Sequence, residues 1–560
     1  MISKTNKPLS EYPRPQFMRE SYICLNGAWD YKISEKPVIP TSFDGKIPVP
    51  YSPETELSGV NHLLKPNEYL FYKLEFELDD EFVKDLVYLH FLGVDQICDV
   101  YLNGQKLGSH VGGFLPFSFE IKSKLEKKNT LVVRVQDLTD TSYHSRGKQR
   151  LKHGGIWYTP QSGIYLPVFL ESTPYLHVND VKMTPDIDKQ ELIINVSSGS
   201  DACHIELEGK KHKISCNEDV HIAIKDMHLW SPDDPYLYPI VIQVGEDIVK
   251  SYFAMRKFSI VKDENNISRL ALNNKPIFMK GVLDQGYYKG GLLTPESYQD
   301  YIDDIELVKS LGFNTIRKHI KIEIPRWYYE CDKRGVIVWQ DFVNGGSKYH
   351  FPTIAFPLIT GIHHKDRYHR LFSRRNKAGR EEALQEFKQT INYLYNTPSI
   401  GLWTIFNEGW GQFDAKKVLV EMQKIDDTRI YDHASGWHDQ KIGDIKSMHV
   451  YFKKVKLPRR EKRCIILSEF GGLVLPIDGH RIEGNSVYKK FDTKEEYLEA
   501  YREMINRDVI NNIPLGLSAC IYTQLSDVEE ETNGFVTFDR EIVKVKPEEI
   551  KAINDQIKLD

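Results

Sequence analysis

The amino-acid sequence predicts a multidomain chain in which two all-β sandwich domains precede a C-terminal (β/α)8 barrel. Residues 1–172 contain short strands with turn signals about every ten residues, which is typical of a β-sandwich. Residues 173–260 repeat that pattern over a shorter length. Residues 261–560 alternate apolar strands with helical segments, which favours parallel βα units.

The two sandwiches are predicted from hairpin signals and strand spacing. Asn103-Gly104 lies between two alternating strands in DVYLNGQKLGSH, and Asn-Gly is the strongest short hairpin signal. NTLVVRVQD and YLPVFLES add further strands to the first sandwich. The second sandwich has the length of one immunoglobulin-like domain with seven strands, and we expect it to act as a spacer.

Eight strands can be counted in the barrel region. We expect them in PIFMKGVLDQGYY and in residues 315–319, 336–342, 399–406, 430–437, 447–452, 464–470 and 517–527. Asn273-Asn274 is expected to close a small hairpin before the first of them. Among the helices, Thr294-Pro295 is expected to begin the first one, residues 380–396 form another, and Asp414 and Thr493 are expected N-caps.

Two of the predicted barrel strands end on a carboxylate. The apolar run SIGLWTIFNEGW reaches Glu408 before Gly409, and CIILSEF reaches Glu469 before Gly471. A single Glu after a strand is commonly a helix cap or a surface residue. Barrel enzymes, however, place their chemistry at the carboxyl ends of the strands, and a pair of such carboxylates is what glycosidic-bond hydrolysis requires.

The other predicted strand ends carry a dense set of polar and aromatic side chains. For His319 and His433 a purely structural role is an equal alternative. The candidate substrate-binding residues are Asp284, Gln285, Arg317, His319, Asp341, Asn407, Trp410, Trp437, His449, Tyr451 and Gln524.

These motifs resemble those of the β-galactosidase, β-glucuronidase and β-mannosidase family of glycoside hydrolases (family 2). In that family an Asn-Glu pair ends barrel strand four, and a Ser-Glu-Phe/Tyr-Gly stretch ends strand seven. FLGVDQICDVYLNGQKLGSHVGGFLPFSFEI and GGIWYTPQSGIYLPVFLE resemble its N-terminal jelly-roll sugar-binding domain, which can equally be a scaffold that shapes the rim of the active site. HLWSPDDPYLY resembles its middle domain.

The resemblance implies a retaining exo-acting β-glycosidase in which Glu408 is the acid/base and Glu469 the nucleophile. Because the nucleophile must be ionised, a cation should lie near it, and Arg317 is the candidate. We expect Tyr451 to donate a hydrogen bond to Glu469 and Asn407 to hold the sugar 2-hydroxyl. Trp437 is expected to form a wall or floor of the sugar site.

The motifs that distinguish sugars within the family are absent. LDQGYY stands where β-galactosidases have an Asn-Arg-His-Glu-type run, ETNGFVTFDREIVKVK lacks the Asn-x-Lys motif of β-glucuronidases, and WTIFNE replaces the mannosidase Trp-x-Gly-Asn-Asn-Glu. Galactose is the first choice on family frequency alone. The alternatives are a β-glucuronidase, a β-mannosidase or, from a different class, a catalytically silent carbohydrate-binding scaffold.

A histidine-rich insertion supports two further hypotheses. His363, His364, Asp366 and His369 could be metal ligands of a metal-dependent hydrolase, but their order is not that of a known site, and we expect no metal and no cofactor. Residues 363–380 also hold seven cations. This segment is either a solvated loop or a lid that recognises an anionic or extended saccharide.

Composition indicates an ordinary globular protein, and the resemblance implies that its partner is a small-molecule or oligosaccharide substrate. The net charge is −5 and 41% of residues are hydrophobic, which gives no reason to expect a nucleic-acid or membrane partner. Seven scattered cysteines predict free thiols in a reducing compartment. The first residues show no apolar signal segment, so we expect a cytoplasmic protein and allow for a homo-oligomer.

Overall fold

The computed structural model describes residues 7–484 and 488–559. The N-terminal region is an antiparallel sandwich of a four-stranded sheet (β1-β12-β5-β9) and a six-stranded sheet (β3-β2-β4-β10-β7-β8), with a short β11-β6 pair. Its strands are β1 (Tyr22–Cys24), β2 (Gly27–Ser34), β3 (Gly45–Val49), β4 (Tyr69–Phe76), β5 (Leu86–Phe91), β6 (Val94–Asp95), β7 (Ile97–Leu102), β8 (Gln105–Val111), β9 (Phe117–Glu120), β10 (Asn129–Gln136), β11 (Gly163–Ile164) and β12 (Val168–Thr173).

The hairpin prediction for this sandwich is confirmed. Asn103 and Gly104 join β7 to β8 and have φ values of 51° and 76°. Positive φ at both central residues is the geometry that matches the twist of a two-residue hairpin.

The second domain also has the predicted seven strands. They form a three-stranded sheet (β13-β14-β17) and a four-stranded sheet (β16-β15-β18-β19) that enclose an apolar core. The strands are β13 (Val178–Asp186), β14 (Glu191–Ser198), β15 (Ala202–Leu207), β16 (Lys210–Ser215), β17 (Val220–Ala223), β18 (Tyr238–Val244) and β19 (Asp247–Phe253).

A small antiparallel sheet closes the bottom of the barrel. It consists of β20 (Phe258–Lys262), β21 (Ser268–Leu272) and β22 (Lys275–Pro276), and Asn273-Asn274 forms the expected turn at φ 53° and 65°. Phe258 and Leu270 pack in one buried cluster with Ile337 and Leu402 of the barrel strands.

Eight parallel strands form the barrel, in the order β27-β26-β25-β24-β23-β30-β29-β28. Every residue of strands β24–β27, β29 and β30 is buried, as expected for a sheet that is covered on both faces. The strands are β23 (Met279–Asp284), β24 (Thr315–Lys318), β25 (Ile337–Asp341), β26 (Ile400–Thr404), β27 (Ile430–Asp432), β28 (Ile445–Val450), β29 (Cys464–Gly471) and β30 (Leu517–Thr523).

The helices surround the barrel but do not follow every strand. Residues 433–444 and 451–463 join β27 to β28 and β28 to β29 without a helix, so two of the expected βα units lack one. The helices are α1 (Tyr298–Ser310), α2 (Pro325–Arg334), α3 (Phe351–Thr360), α4 (Lys377–Leu394), α5 (Ala415–Gln423), α6 (Lys494–Met504) and α7 (Pro547–Asn554).

Two predicted helix starts are wrong in detail, and one is right. The N-cap of α1 is Ser297, which forms a capping box with Asp300, whereas the Thr294 hydroxyl donates to the carbonyl of Tyr165. Asp414 occupies the N-cap position of α5 but makes no capping hydrogen bond. Thr493 caps α6 as expected.

All seven cysteines are buried and unpaired, as the sequence predicted. Within residues 7–484 and 488–559, no helix is both long and apolar enough to cross a membrane.

Candidate active site

Glu408 and Glu469 meet at the carboxyl end of the barrel. Glu469 lies near the end of β29, and Glu408 follows β26, where its backbone N–H donates to the carbonyl of Ser435 at 3.0 Å. Glu408 has a φ of 50°, a left-handed conformation that is strained for a residue other than glycine. One carboxylate oxygen of each Glu and a ring nitrogen of His449 all lie within 4.8 Å of one another.

The surroundings of Glu469 favour its ionised form. Its Oε1 accepts from Arg317 Nη1 at 3.0 Å, and its Oε2 accepts from the Tyr451 hydroxyl at 2.6 Å. Burial alone would raise the pKa of Glu469, but electrostatic interactions with His449, His319 and Arg317, together with the Tyr451 hydrogen bond, lower that pKa to about 2. The carboxylate is therefore ionised at neutral pH.

The surroundings of Glu408 favour its protonated form. It is buried, and this burial raises the pKa of its carboxyl group, with a further increase from the neighbouring charge of Glu469. His449 Nδ1, at 2.8 Å from Glu408 Oε1, opposes the rise without cancelling it. The Tyr451 hydroxyl lies 3.2 Å from the same oxygen and thus touches both carboxylates. Two carboxyl groups with separated pKa values are the arrangement that acid–base chemistry needs.

Asp341 holds the cation that neutralises Glu469. Its two oxygens accept from Arg317 Nε and Nη2 at 3.0 Å each, a bidentate pairing that fixes the guanidinium plane. Asp341 Oδ2 also lies 2.8 Å from His319 Nδ1. Arg317 Nη2 reaches Asn407 Oδ1 at 2.9 Å, which orients that amide. The Nδ2 of Asn407 is buried and has no hydrogen-bond partner among the described residues, so it is free to bind a ligand oxygen.

The carboxylates face a cavity of about 330 Å³. Trp437, whose Nε1 donates to the Glu408 carbonyl at 2.9 Å, forms one of its aromatic walls. Flat aromatic rings suit the apolar C–H faces of a sugar. The predicted site residues that line this cavity are His319, Asn407, Glu408, Trp410, Trp437, Tyr451 and Glu469. A larger cavity of about 810 Å³ lies at the opposite end of the barrel and contains neither carboxylate.

Six predicted substrate-binding residues do not line the cavity. Arg317, Asp341 and His449 stand directly behind its wall and act on the lining residues, as described above. The other three form buried hydrogen bonds and ion pairs that include neither Glu408 nor Glu469. Asp284 pairs with Lys318 Nζ at 2.5 Å, Gln285 donates to Gln524 at 2.9 Å, and Gln524 donates to Asn533 at 2.8 Å. The expectation that these three contact the sugar is therefore not supported.

Several cavity residues were not predicted from the sequence. Lys148, Arg150 and Trp157 reach the cavity from the N-terminal region, and Tyr349 and Phe351 come from the segment around the start of α3. Nothing in the sequence of residues 144–162 indicates which part of the barrel they touch. Glu531 follows β30 within an acidic run of three Glu residues. This run at a strand end could have predicted Glu531 as a residue of the site.

The histidine-rich segment is not arranged as a metal site. His363 Nδ1 accepts from the backbone N–H of His438 at 2.8 Å, and His369 Nε2 lies 3.0 Å from Asp414 Oδ2. Asp366 Oδ2 accepts from the backbone N–H of Ala415 at 2.8 Å. The side chains thus serve separate partners instead of converging on one point. The donor atoms of Glu408, His449 and Glu469 do converge, but the Arg317 guanidinium already supplies positive charge there.

The basic residues of segment 363–380 do not reach the candidate site. Of its seven cations, none lines the cavity. Arg374 is buried and donates to the carbonyls of Gly411, Tyr143 and Gly379, so it holds the segment in place. The hypothesis that this segment recognises an anionic saccharide has no support in the described contacts.

A parallel barrel with two buried, adjacent carboxylates at its strand ends defines the class of paired-carboxylate barrel hydrolases. Family models agree with each part of the chain. Residues 43–162 match a glycosyl hydrolase 2 galactose-binding domain-like model, residues 176–256 match a glycosyl hydrolases family 2 model, and residues 261–558 match the family 2 TIM barrel domain. The chain belongs to glycosyl hydrolases family 2.

Curated relatives carry more than one name. A putative β-glucuronidase of Formosa agariphila is 26% identical over 363 residues, which are 60% of this chain and 39% of that protein. A β-galactosidase of Thermoanaerobacter pseudethanolicus is 24% identical over 461 residues, which are 76% of this chain and 57% of that protein. The chain thus spans only 39–57% of the length of these two relatives.

Solved structures share the fold over almost the full length. A β-D-glucuronidase of Dictyoglomus thermophilum has a TM-score of 0.76 at 18% identity and covers 97% of this chain and 98% of its own. A β-galacturonidase of Eisenbergiella tayi, bound to galacturonate, has a TM-score of 0.71 at 18% identity and covers 97% and 99%.

Proposed function

We propose that the protein is a retaining, exo-acting β-glycosidase. The observation that carries this proposal is the short separation of Glu408 and Glu469, whose oxygens come within 4.8 Å. Retaining glycosidases hold their carboxyl groups about 5–5.5 Å apart, whereas inverting enzymes need about 6.5–9.5 Å to admit a water molecule. The opposite pKa directions of the two groups support the same assignment.

In the first step the ionised Glu469 attacks the anomeric carbon, and the bond from that carbon to the leaving oxygen breaks. Glu408 gives its proton to that oxygen, so the leaving group departs as a neutral alcohol. Arg317 and Tyr451 keep Glu469 ionised and oriented, and Asn407 Nδ2 offers a hydrogen bond to the sugar 2-hydroxyl. This contact strengthens as positive charge develops in the transition state.

In the second step Glu408, now ionised, takes a proton from a water molecule, which attacks the same carbon and displaces Glu469. Each displacement inverts the configuration of the anomeric carbon, so the two together restore the original one. Tyr451 touches both carboxylates, so it can stay bonded to whichever one carries the negative charge. A silent carbohydrate-binding scaffold would have no need for this separation of charge and proton.

A β-galactoside is our first candidate substrate. The segment after β30 lacks the Asn-x-Lys motif for a uronic carboxylate and instead places Glu531 on the cavity wall. One relative named β-galactosidase is compatible with this choice. A β-uronide is the second candidate, because Arg150 lines the cavity, stacks on Trp157 at 3.8 Å and forms no ion pair within the described part of the chain.

The mechanism is tested with a Glu469→Ala variant. It should fold normally but lose turnover of nitrophenyl glycosides by about 10⁴-fold. Added azide should restore release of nitrophenol and yield a glycosyl azide of inverted configuration, because the small anion enters from the side that the carboxylate left. A variant that keeps near wild-type rates would remove Glu469 from the mechanism.

The substrate is tested with a panel of aryl β-galactoside, glucuronide, mannoside, glucoside and arabinoside, each with and without chelator. We expect chelator-resistant hydrolysis with galactoside preferred. A preferred glucuronide would select the second candidate, and loss of activity with chelator would select a metal-dependent enzyme. No turnover of any sugar would favour the scaffold.

We also propose a cytoplasmic location. The seven buried, unpaired cysteines fit a reducing compartment. Fractionation of the source cells tests this proposal.

A further inference from the structure

Two charged side chains from different domains meet on the wall of the candidate active site. Lys148 comes from the N-terminal region, and Glu531 follows β30 of the barrel. Lys148 Nζ lies 3.9 Å from Glu531 Oε2. Both residues line the cavity, although only 7% of Lys148 and 5% of Glu531 is exposed. Neither residue has a part in the mechanism proposed above.

The ammonium of Lys148 is poorly satisfied by the protein. It has three N–H donors, but its described hydrogen bonds consist of one weak contact, 3.4 Å to the Tyr158 hydroxyl. The ring faces of Tyr158 and Trp410 lie 5.1 and 5.9 Å away and add a cation–π attraction without using those donors. The remaining donors have no acceptor among the described hydrogen bonds and are available to oxygens of a ligand in the cavity. A buried charge without hydrogen-bond acceptors is costly, so such a ligand would stabilise the ammonium.

Glu531, in contrast, is held firmly. Its carboxylate accepts from the Tyr158 hydroxyl and, at 3.3 Å, from Asn533 Nδ2. The Tyr488 hydroxyl also forms a hydrogen bond to it. The carboxylate is therefore fixed beside the ammonium. These three hydrogen bonds leave about one of its four lone-pair sites for the hydroxyl of a ligand.

A ligand at this place must accept from Lys148 and donate to Glu531. An alcohol hydroxyl can do both. A carboxylate can accept from Lys148 but cannot donate, and it would lie next to the negative charge of Glu531. Neighbouring hydroxyls of a neutral sugar therefore match the pair better than a uronic acid does.

The pair lies beside the cleavage machinery. Lys148 acts electrostatically on both Glu408 and His319, and it lies over Trp410, which also lines the cavity. The pair therefore faces the same cavity as Glu408 and Glu469, next to the place where a sugar would be cleaved.

We propose that Lys148 and Glu531 form a clamp for neighbouring hydroxyls of the non-reducing-end sugar, and that this clamp makes the enzyme selective for neutral sugars. The inference rests on the proposed glycosidase function. It makes the N-terminal region part of the specificity site and assigns that role to a single lysine.

The experiment compares Lys148→Met and Glu531→Gln with the wild type on nitrophenyl β-galactoside, on its singly deoxygenated analogues and on the β-galacturonide. Lys152→Met is the matched control, since Lys152 is an exposed lysine of the same segment as Lys148 and does not line the cavity. We expect each clamp variant to lose about 10- to 100-fold in kcat/KM on the galactoside, as for hydrogen bonds to charged groups. The control should change little.

The deoxygenated analogues distinguish a clamp from a structural role. Removing the clamped hydroxyl should cost the wild type as much as the mutation does, and should cost the variants little more. Glu531→Gln should also raise the galacturonide-to-galactoside ratio of kcat/KM. Equal losses on every analogue would overturn the clamp.

A galacturonide preference in the wild type that Lys148→Met abolishes would also overturn the clamp, but it would leave the glycosidase function standing. A wild type that hydrolyses no β-glycoside would overturn the proposed function itself, and the clamp with it. Circular dichroism and the thermal midpoint of each variant show whether it is folded. If Lys148→Met does not fold, Lys148→Gln takes its place.

Discussion

Glu408 and Glu469 lie side by side, yet only one of them is held ionised. Arg317 contacts Glu469 but not Glu408, and this asymmetry supports the proposed roles of nucleophile and acid. We therefore predict that Glu408→Gln will impair substrates with poor leaving groups far more than activated aryl glycosides, because only poor leaving groups need protonation in the first step. The loss on alkyl glycosides should be about 10²–10⁴-fold. Kinetics on a series of leaving groups measures this, and equal losses across the series would contradict the assignment.

His449 links the two carboxylates and should tune the pH profile. Its Nδ1 lies 2.8 Å from Glu408, its Nε2 lies 3.6 Å from Glu469 Oε1, and the Ser435 hydroxyl is 2.9 Å from Nε2. Burial raises the pKa of Glu408, and His449 lowers it. In the proposed mechanism the first step needs protonated Glu408, so we expect activity to fall as pH rises through that pKa.

Replacing His449 by Asn removes the lowering influence, so the pKa of Glu408 rises. We predict that the basic limb of the kcat/KM profile moves to higher pH. His433→Asn is the control, because His433 is buried against Asp439 at 3.2 Å and contacts neither Glu408 nor Glu469. A basic limb that stays in place in the His449 variant would show that this histidine is only structural.

The sequence predicted much of this site because its chemistry is concentrated at strand ends. Arg317 was expected near Glu469 and lies 3.0 Å from it, and the Tyr451 contact was expected as well. Asp284 and Gln285 also lie at a strand end, but a strand end does not specify which side chains turn toward the cavity. Lys148 could not be predicted, since its position depends on how the N-terminal region packs on the barrel.

At the level of elements, the strands were easier to predict than the helix ends. Buried apolar runs such as Ile400–Thr404 leave no alternative to a central strand. Helix caps are less certain because any nearby side chain can satisfy the first N–H groups. At the start of α5, Asp366 does this from a distant loop, whereas Asp414, at the N-cap position, pairs with His369.

Asp366 should therefore stabilise the protein more than Asp414 does. It is buried and also accepts from Gln412 Nε2 at 3.2 Å. We predict that Asp366→Ala leaves two buried donors unsatisfied and costs about 1–3 kcal/mol, whereas Asp414→Ala loses a partly exposed pair worth at most about 1 kcal/mol. Thermal unfolding of both variants measures the difference. An equal or smaller shift for Asp366→Ala would show that Asp366 does not act as the cap.

At the scale of the whole molecule, the sequence predicted the architecture but not the contacts between its parts. Strand patterns depend on nearby residues, whereas interdomain contacts join residues far apart in the chain. Arg19 is an example. It donates to both oxygens of Asp247 at 2.9 Å each and to Glu171 at 3.3 Å, and so connects β19 of the second sandwich to β12 of the first.

Arg19→Met should destabilise the molecule by about 3–5 kcal/mol, because it leaves the buried Asp247 without a cation and removes one of the cations around Glu171. Burial would raise the pKa of Glu171, but Arg14, His90 and Arg19 hold it well below its usual value. Such a group adds stability above its unfolded pKa and loses it as pH falls through the folded pKa. Without Arg19 the pKa of Glu171 rises. In the variant Glu171 is therefore protonated at a higher pH than in the wild type, and this protonation removes the unfavourable buried charge. The difference in thermal midpoint from wild type should therefore be largest near pH 7 and shrink toward pH 4. Lys250→Met breaks only an exposed pair with Glu20 and should show a small difference in thermal midpoint at both pH values. If the loss in Arg19→Met does not depend on pH, Arg19 stabilises the protein through packing and not through its charge.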